Sequence, residues 1–281
     1  MTSIASLHNF GMPPVTEVVL SVQFEPLANF QIHHFGLFWQ TLGGRFPRVE
    51  AHPPVGRSLE QFGVPQQVPP FRFELATGLE FPRAWFLSQA GTELIQLQRD
   101  RFICNWRKVD GSQSYPRYEQ VRQLFEAEYS NFAQFLVHAN IDLPKPDQCE
   151  VTYINHIRAL SADGQPLEPW QVTTLLSDLS RVSDGVAIEV ERLNARFLIT
   201  TDADGASNEK PVGRLHVEFM PALSNADRTP IFVFSLVARG APISHDSDGV
   251  LKFLDLGRAM IVAKFKELTT PRMHLLWDYK G

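Results

Sequence analysis

The chain has 281 residues, 44% of them hydrophobic and 20% charged, with a formal net charge of −5. That composition fits a folded globular chain, and it lacks the basic excess that phosphate neutralisation gives most duplex-binding surfaces. No apolar run reaches the roughly 18 residues that span a bilayer, and the opening MTSIASLHNFGMPP lacks the basic and apolar regions of a secretory leader, so a cytoplasmic protein without membrane association is expected.

From Glu17 to Phe24 the residues alternate, with Val18, Leu20, Val22 and Phe24 on one side and Glu17, Ser21 and Gln23 on the other. Period two with one polar side predicts a half-buried strand. Asn29 is placed to cap a helix with Ile32, Phe35, Phe38, Trp39 and Leu42 on one stripe, stopped at Gly43-Gly44. The stretch Ala51–Pro70 holds five prolines, which forbid a regular interior element because each lacks an N–H donor. It is expected at the surface as a lid or contact arm. Short strands follow at Phe71–Leu75, Ala84–Ser88, Glu93–Gln98 and Phe102–Arg107, the last two forming a hairpin over Arg99-Asp100. Tyr115-Pro116 opens a long helix with Val121, Phe125, Phe132 and Leu136 on its apolar stripe.

The pattern then restarts. A strand at Val151–Ile157 leads to a helix near Pro169–Leu179, strands at Val186–Arg192, Arg196–Thr200, Arg214–Met220 and Ile231–Arg239, and a long helix carrying Val250, Leu254, Gly257, Ile261, Phe265 and Leu268. The fold class is therefore α+β in two similar halves, residues 1–145 and 146–281. Each half reads strand, helix, four antiparallel strands, long helix, packed as one compact unit. That order is similar to TATA-binding-protein-like and helix-grip-like duplications, an analogy of fold alone.

Two polar constellations emerge. On the hairpin, Gln96, Gln98, Arg101, Asn105 and Arg107 share the face opposite Ile95, Leu97, Phe102, Cys104 and Trp106. Amides and guanidinium forks suit planar or anionic partners, and a merely solvated face more often mixes Lys with Glu. In the other half, Glu189 and Glu191 share one strand face, and Arg214, His216 and Glu218 another. Their convergence would supply metal ligands or an acid–base pair, although opposite charges on paired strands are ordinary cross-strand partners. Phosphate loops, nucleophile elbows and H-E-x-x-H are absent, and no cofactor is implied. Cys104 and Cys149 lack metal or redox spacing and are expected to be buried, reduced thiols.

Pro13–Phe24 (PPVTEVVLSVQF), the aromatic-rich LIQLQRDRFICNWRK, the pair Tyr115 and Tyr118, the strand YINHI (Tyr153–Ile157) and the close Thr270–His274 together resemble a sporadically distributed prokaryotic family of unknown function. The family more often has Arg where this chain has His156. Its patchy distribution implies horizontally moved modules such as defence or toxin–antitoxin loci. The residues favour a non-enzymatic binding module for a protein partner or small ligand. The alternative is a metal-dependent enzyme or binding protein acting on nucleic acid or nucleotides.

Overall fold

In a computed structural model, which describes residues 8–63, 81–161, 163–181, 189–200 and 211–281, the first alternating segment forms β1 (Val15–Phe24). Then come α1 (Ile32–Thr41), β2 (Arg48–His52), β3 (Arg83–Leu87), β4 (Glu93–Gln98), β5 (Arg101–Arg107) and α2 (Tyr118–His138). The chain continues through β6 (Pro146–Arg158), α3 (Pro169–Val172), a 3-10 helix (Thr174–Arg181), β7 (Leu193–Ile199) and β8 (Gly213–Leu223). It closes with β9 (Pro230–Gly240), α4 (Ser247–Leu268) and α5 (Pro271–Leu276). The protein is α+β: among the described residues nine strands make one antiparallel sheet in the order β2-β3-β4-β5-β1-β6-β9-β8-β7. β1 and β6 pair at its centre, and each is flanked by the last strand of its own block, β5 or β9.

One face of this sheet is the core. Val18, Leu20, Val22 and Phe24 of β1 are fully buried, as are Phe219 of β8 and Phe234 of β9. α2 packs on β5 and β1, α4 on β6, β9 and β8, and α1 lies against α2. The stripe predicted for α2 is the buried one, with Phe125, Phe132 and Leu136 at 0% exposure. Full burial of such a side chain contributes about 1.5–3 kcal/mol, enough for a few aromatics to anchor a helix. Gly257 lets α4 approach closely, since a Cβ there would sit 3.1 Å from Ala238 and 3.2 Å from Val151. Both cysteines are buried and unpaired.

Several elements differ from expectation. α1 starts at Ile32, with Gln31 rather than Asn29 as its cap. Phe30, fully buried just before the cap, packs edge-on to Phe35 at 5.0 Å, and the Gln31 N–H donates to His34 Nδ1 at 2.7 Å. That apolar staple with a reciprocal cap fixes where the helix begins. Ile32 and Trp39 consequently face outward, while Phe35, Phe38 and Leu42 are buried as predicted. The stop at Gly43-Gly44 holds, with φ of 62° and 80°. The helix expected near Pro169–Leu179 is only one turn of α followed by a 3-10 helix. β2, largely exposed and at the sheet edge, has no apolar alternation and was not legible as a strand. It also takes Ala51 and His52 out of the proline-rich stretch, whose residues 53–62 have no regular structure. The strand placed at Phe71–Leu75 lies outside the described residues, as do residues 64–70 and 186–188. Residues 189–192 are not in a strand.

Candidate functional site

A cavity of about 420 Å³ lies on the helix face, lined by β1 and β6 and by α2 and α4. Val15 of β1 and Tyr153 and Asn155 of β6 line its floor, Tyr118 and Glu119 of α2 one wall, and Arg258, Ile261 and Phe265 of α4 the other. Period two explains the floor, because Tyr153 and Asn155 stand on the same side of β6 as the core residues Val151 and Ile157. The segment before β1 closes one side through Phe10 and Pro13. Arg117 holds that segment, donating to the carbonyls of Phe10 (2.9 Å) and Gly11 (3.3 Å). It does so from φ 78°, in the left-handed region that a residue with a Cβ avoids. Strain of this kind, on the order of 1–3 kcal/mol, persists where surrounding contacts enforce it and is concentrated at ligand sites.

The polar groups cluster at the floor. The Tyr115 and Tyr153 hydroxyls are joined by a 2.9 Å hydrogen bond. Burial pushes the Tyr153 phenol up to about 12, against the opposing influence of the Tyr115 hydrogen bond and the Arg258 guanidinium. Burial also raises Tyr115, with Tyr153 adding to it, and raises Tyr118, with Asp255 adding to it. All three phenols therefore keep their protons at neutral pH and act as hydrogen-bonding groups, not anions. Tyr118 donates to Asp255 (2.8 Å), as does Arg122 Nε (2.8 Å), tying α2 to α4 beside the cavity. Arg258 is the cation on the α4 wall. Its guanidinium lies 5.3 Å over the Tyr118 ring and 3.7 Å from the exposed Glu119 carboxylate, while its Nε is buried without a hydrogen-bond partner. Buried donors are normally paired, and leaving one unpaired costs about 1–3 kcal/mol.

The residues expected to form an open polar face are placed elsewhere. The hairpin register over Arg99-Asp100 and its two faces are as predicted, with Gln98 opposite Arg101 and Ile95 opposite Cys104. Gln96, Gln98, Arg101 and Asn105 are nonetheless buried, at 2–7% exposure. Gln96 donates to Asn105 (2.8 Å), which donates to Glu17 (2.7 Å). Gln98 exchanges hydrogen bonds with both backbone groups of Val55. Arg107 donates to the Gly91 carbonyl (3.1 Å) and lies over Trp85. Period two shows which side of a strand is polar, not what covers it, and here Val55 and Gly56 of the proline-rich stretch cover Gln98 and Arg101. The second constellation is not assembled. Glu189 and Glu191 are exposed outside any strand, His216 contacts Glu60 at 2.6 Å, and Glu218 pairs with Arg192 at 3.1 Å. Among the described residues no group of three or more His, Cys, Asp or Glu is placed to hold a metal ion.

The cavity was missed because its residues are far apart in the chain and none belongs to a catalytic pattern. A signal existed: three of the chain's five tyrosines, Tyr115, Tyr118 and Tyr153, line it, and all three sit in the motifs that carry the family resemblance. Pro13, Val15 and Asn155 come from those motifs too, whereas His156 points to the opposite face and is exposed. No protein-family model and no curated protein matches the chain, so the resemblance stands on those short motifs. Among the described residues no helix is long and apolar enough to cross a membrane.

Proposed function

We propose that this protein is a non-enzymatic binding module whose ligand is a small anion with an apolar body, held in the cavity between α2 and α4. The supporting observation is Arg258, a largely buried guanidinium that lines a hollow walled by Phe10, Ile261 and Phe265. Small-molecule sites are mostly apolar hollows of about 300–1,000 Å³ with a few convergent polar groups, and this one fits that description. Arg258 would take the anionic group, the Tyr153 and Tyr115 hydroxyls would orient it, and the aromatic wall would cover the apolar part. We also read the two blocks of the chain as a duplication, since β1 pairs with β5 and β6 with β9, which would make the cavity an interface between halves.

The test is thermal denaturation and calorimetry with a panel of aromatic carboxylates, aliphatic carboxylates and phosphate monoesters, matched with neutral amides of the same shape. Anionic members should raise the melting temperature, since a ligand at 100 times its Kd stabilises by about 2.7 kcal/mol. Arg258→Gln should abolish the shift while leaving the unliganded protein folded. Equal shifts by acids and amides, or an undiminished shift in Arg258→Gln, would reject the reading.

A further inference from the structure

The other face of the sheet is covered in an unusual way. Residues 55–61 run across β4, β5, β1, β6, β9 and β8, and side chains from these strands bind the segment's backbone. Gln98 bonds the N–H and carbonyl of Val55 (3.0 and 2.9 Å), and Arg101 donates to the Gly56 carbonyl (3.1 Å). Gln23 accepts from the Ser58 N–H (3.0 Å), and Gln148 from the Glu60 N–H (3.1 Å). Arg214 donates to the Gln61 carbonyl (2.7 Å). Two side chains clasp the segment by their charge: Arg57 pairs with Asp147 and with Glu25 (2.9 Å) and donates to the Phe24 carbonyl (2.6 Å), and Glu60 has a cationic seat. Glu60, 2% exposed, meets Arg214 (2.5 Å), His216 (2.6 Å) and Arg239 (3.7 Å).

Amides that read main-chain groups at successive residues are tolerant of sequence, and a cationic seat for one carboxylate adds selectivity. None of residues 53–62 belongs to the hydrophobic core or packs against it, and the Phe62 ring contacts the face through the Arg214 guanidinium at 4.7 Å. Lifting it would expose amides and guanidinium groups, which water solvates well, so local opening is favoured over a region with buried apolar contacts. The resident segment also leaves part of the face unsatisfied. Arg101 Nε and Gln148 Nε2 have no hydrogen-bond partner although both residues are at least nine-tenths buried.

We propose that this face is a recognition site for an extended peptide of a partner protein that carries a carboxylate with a basic residue three positions before it, and that residues 55–61 are a resident occupant which such a peptide displaces. The incoming chain adopts the same extended path, places a carboxylate between Arg214, His216 and Arg239, and offers acceptors to the free Arg101 and Gln148 donors. The site is separate from the cavity and does not depend on it.

The probe is a fluorescent synthetic peptide of residues 53–63, used with the full-length protein. In a variant whose clasp is removed (Arg57→Ala with Glu60→Ala), the peptide should bind at least ten-fold more tightly than to the wild type, where it must compete with the resident copy. Adding Arg214→Ala, or replacing the peptide's glutamate by glutamine, should weaken binding at least ten-fold. In the wild type, excess peptide should speed hydrogen exchange at the amides of Val55, Ser58 and Glu60, a readout independent of the variant's folding. No binding by the clasp variant, no change in wild-type exchange, or clasp-variant amides as protected as those of the sheet would each overturn the proposal. A strap-exchanged dimer of the clasp variant would also overturn it, assigning the seat to a second copy of this chain.

Discussion

The two faces of the sheet are covered by different physics. On one, α2 and α4 bury Phe125, Phe132, Phe253 and Ile261 against strands whose inward residues are apolar. On the other, residues 55–61 are held by Gln23, Gln98, Arg101, Gln148 and Arg214 through hydrogen bonds, with Glu60 as the only buried charge of the segment. Apolar burial is non-directional and rewards close packing, whereas buried polar groups reward complete pairing. The first face can leave a hollow between two helices without strand rearrangement, and the cavity lies there. The second allows exchange of one hydrogen-bonded chain for another.

The sharpest way to break this contrast is to disturb the apolar side. Phe132 is fully buried and lies within 5.4–6.3 Å of the rings of Phe38, Phe102 and Phe24. Phe132→Ala should lower unfolding free energy by about 3–5 kcal/mol in denaturant titration, the range for aromatic truncation in a packed core. A smaller effect follows at Gly257, where the Cβ contacts are 3.1–3.2 Å. Gly257→Val should destabilise by about 1–3 kcal/mol through overpacking of α4 on β6 and β9, and should narrow the neighbouring cavity. A loss below a few tenths would show that α4 can lift without penalty.

The strap side should respond less globally and more to pH. Burial alone would raise the Glu60 carboxyl, but hydrogen bonds from His216 and Arg214 and the Arg239 charge outweigh it and hold it below the ordinary carboxylate value. A carboxyl lowered in the folded state contributes stability above its unfolded pKa and loses it as pH falls through the folded one. Strap protection should therefore decline below about pH 4, with Arg214, His216, Arg239 and Glu150 as the other titratable or charged groups facing the seat. Glu60→Ala should remove that decline and lower strap protection more than it lowers global stability.

Much of the apolar face was legible in the sequence. The β1 alternation, the β4–β5 register and the α2 and α4 stripes each follow from a period that burial imposes. The start of α1 was not, because the staple between Phe30 and Phe35 decides it and competes with the Asn29 signal. β2 carries no periodic signal because its exposed residues join the edge mainly through backbone pairing with β3. The site was less legible still. The amides of the hairpin were correctly assigned to one face, yet the partner of Gln98 is a segment some 40 residues away, and no local pattern announces it. Tyr115, Tyr153 and Arg258 converge only once the two blocks of strands join through β1 and β6.

Native-state hydrogen exchange across both faces tests the central claim most directly. Amides of β1, β6 and α2 should exchange only through global unfolding, with denaturant dependence to match, while Val55, Ser58 and Glu60 exchange through a local opening far less sensitive to denaturant. If the strap amides instead merge with those of the sheet at the global free energy, the two faces are one cooperative unit, and the distinction drawn between them is wrong.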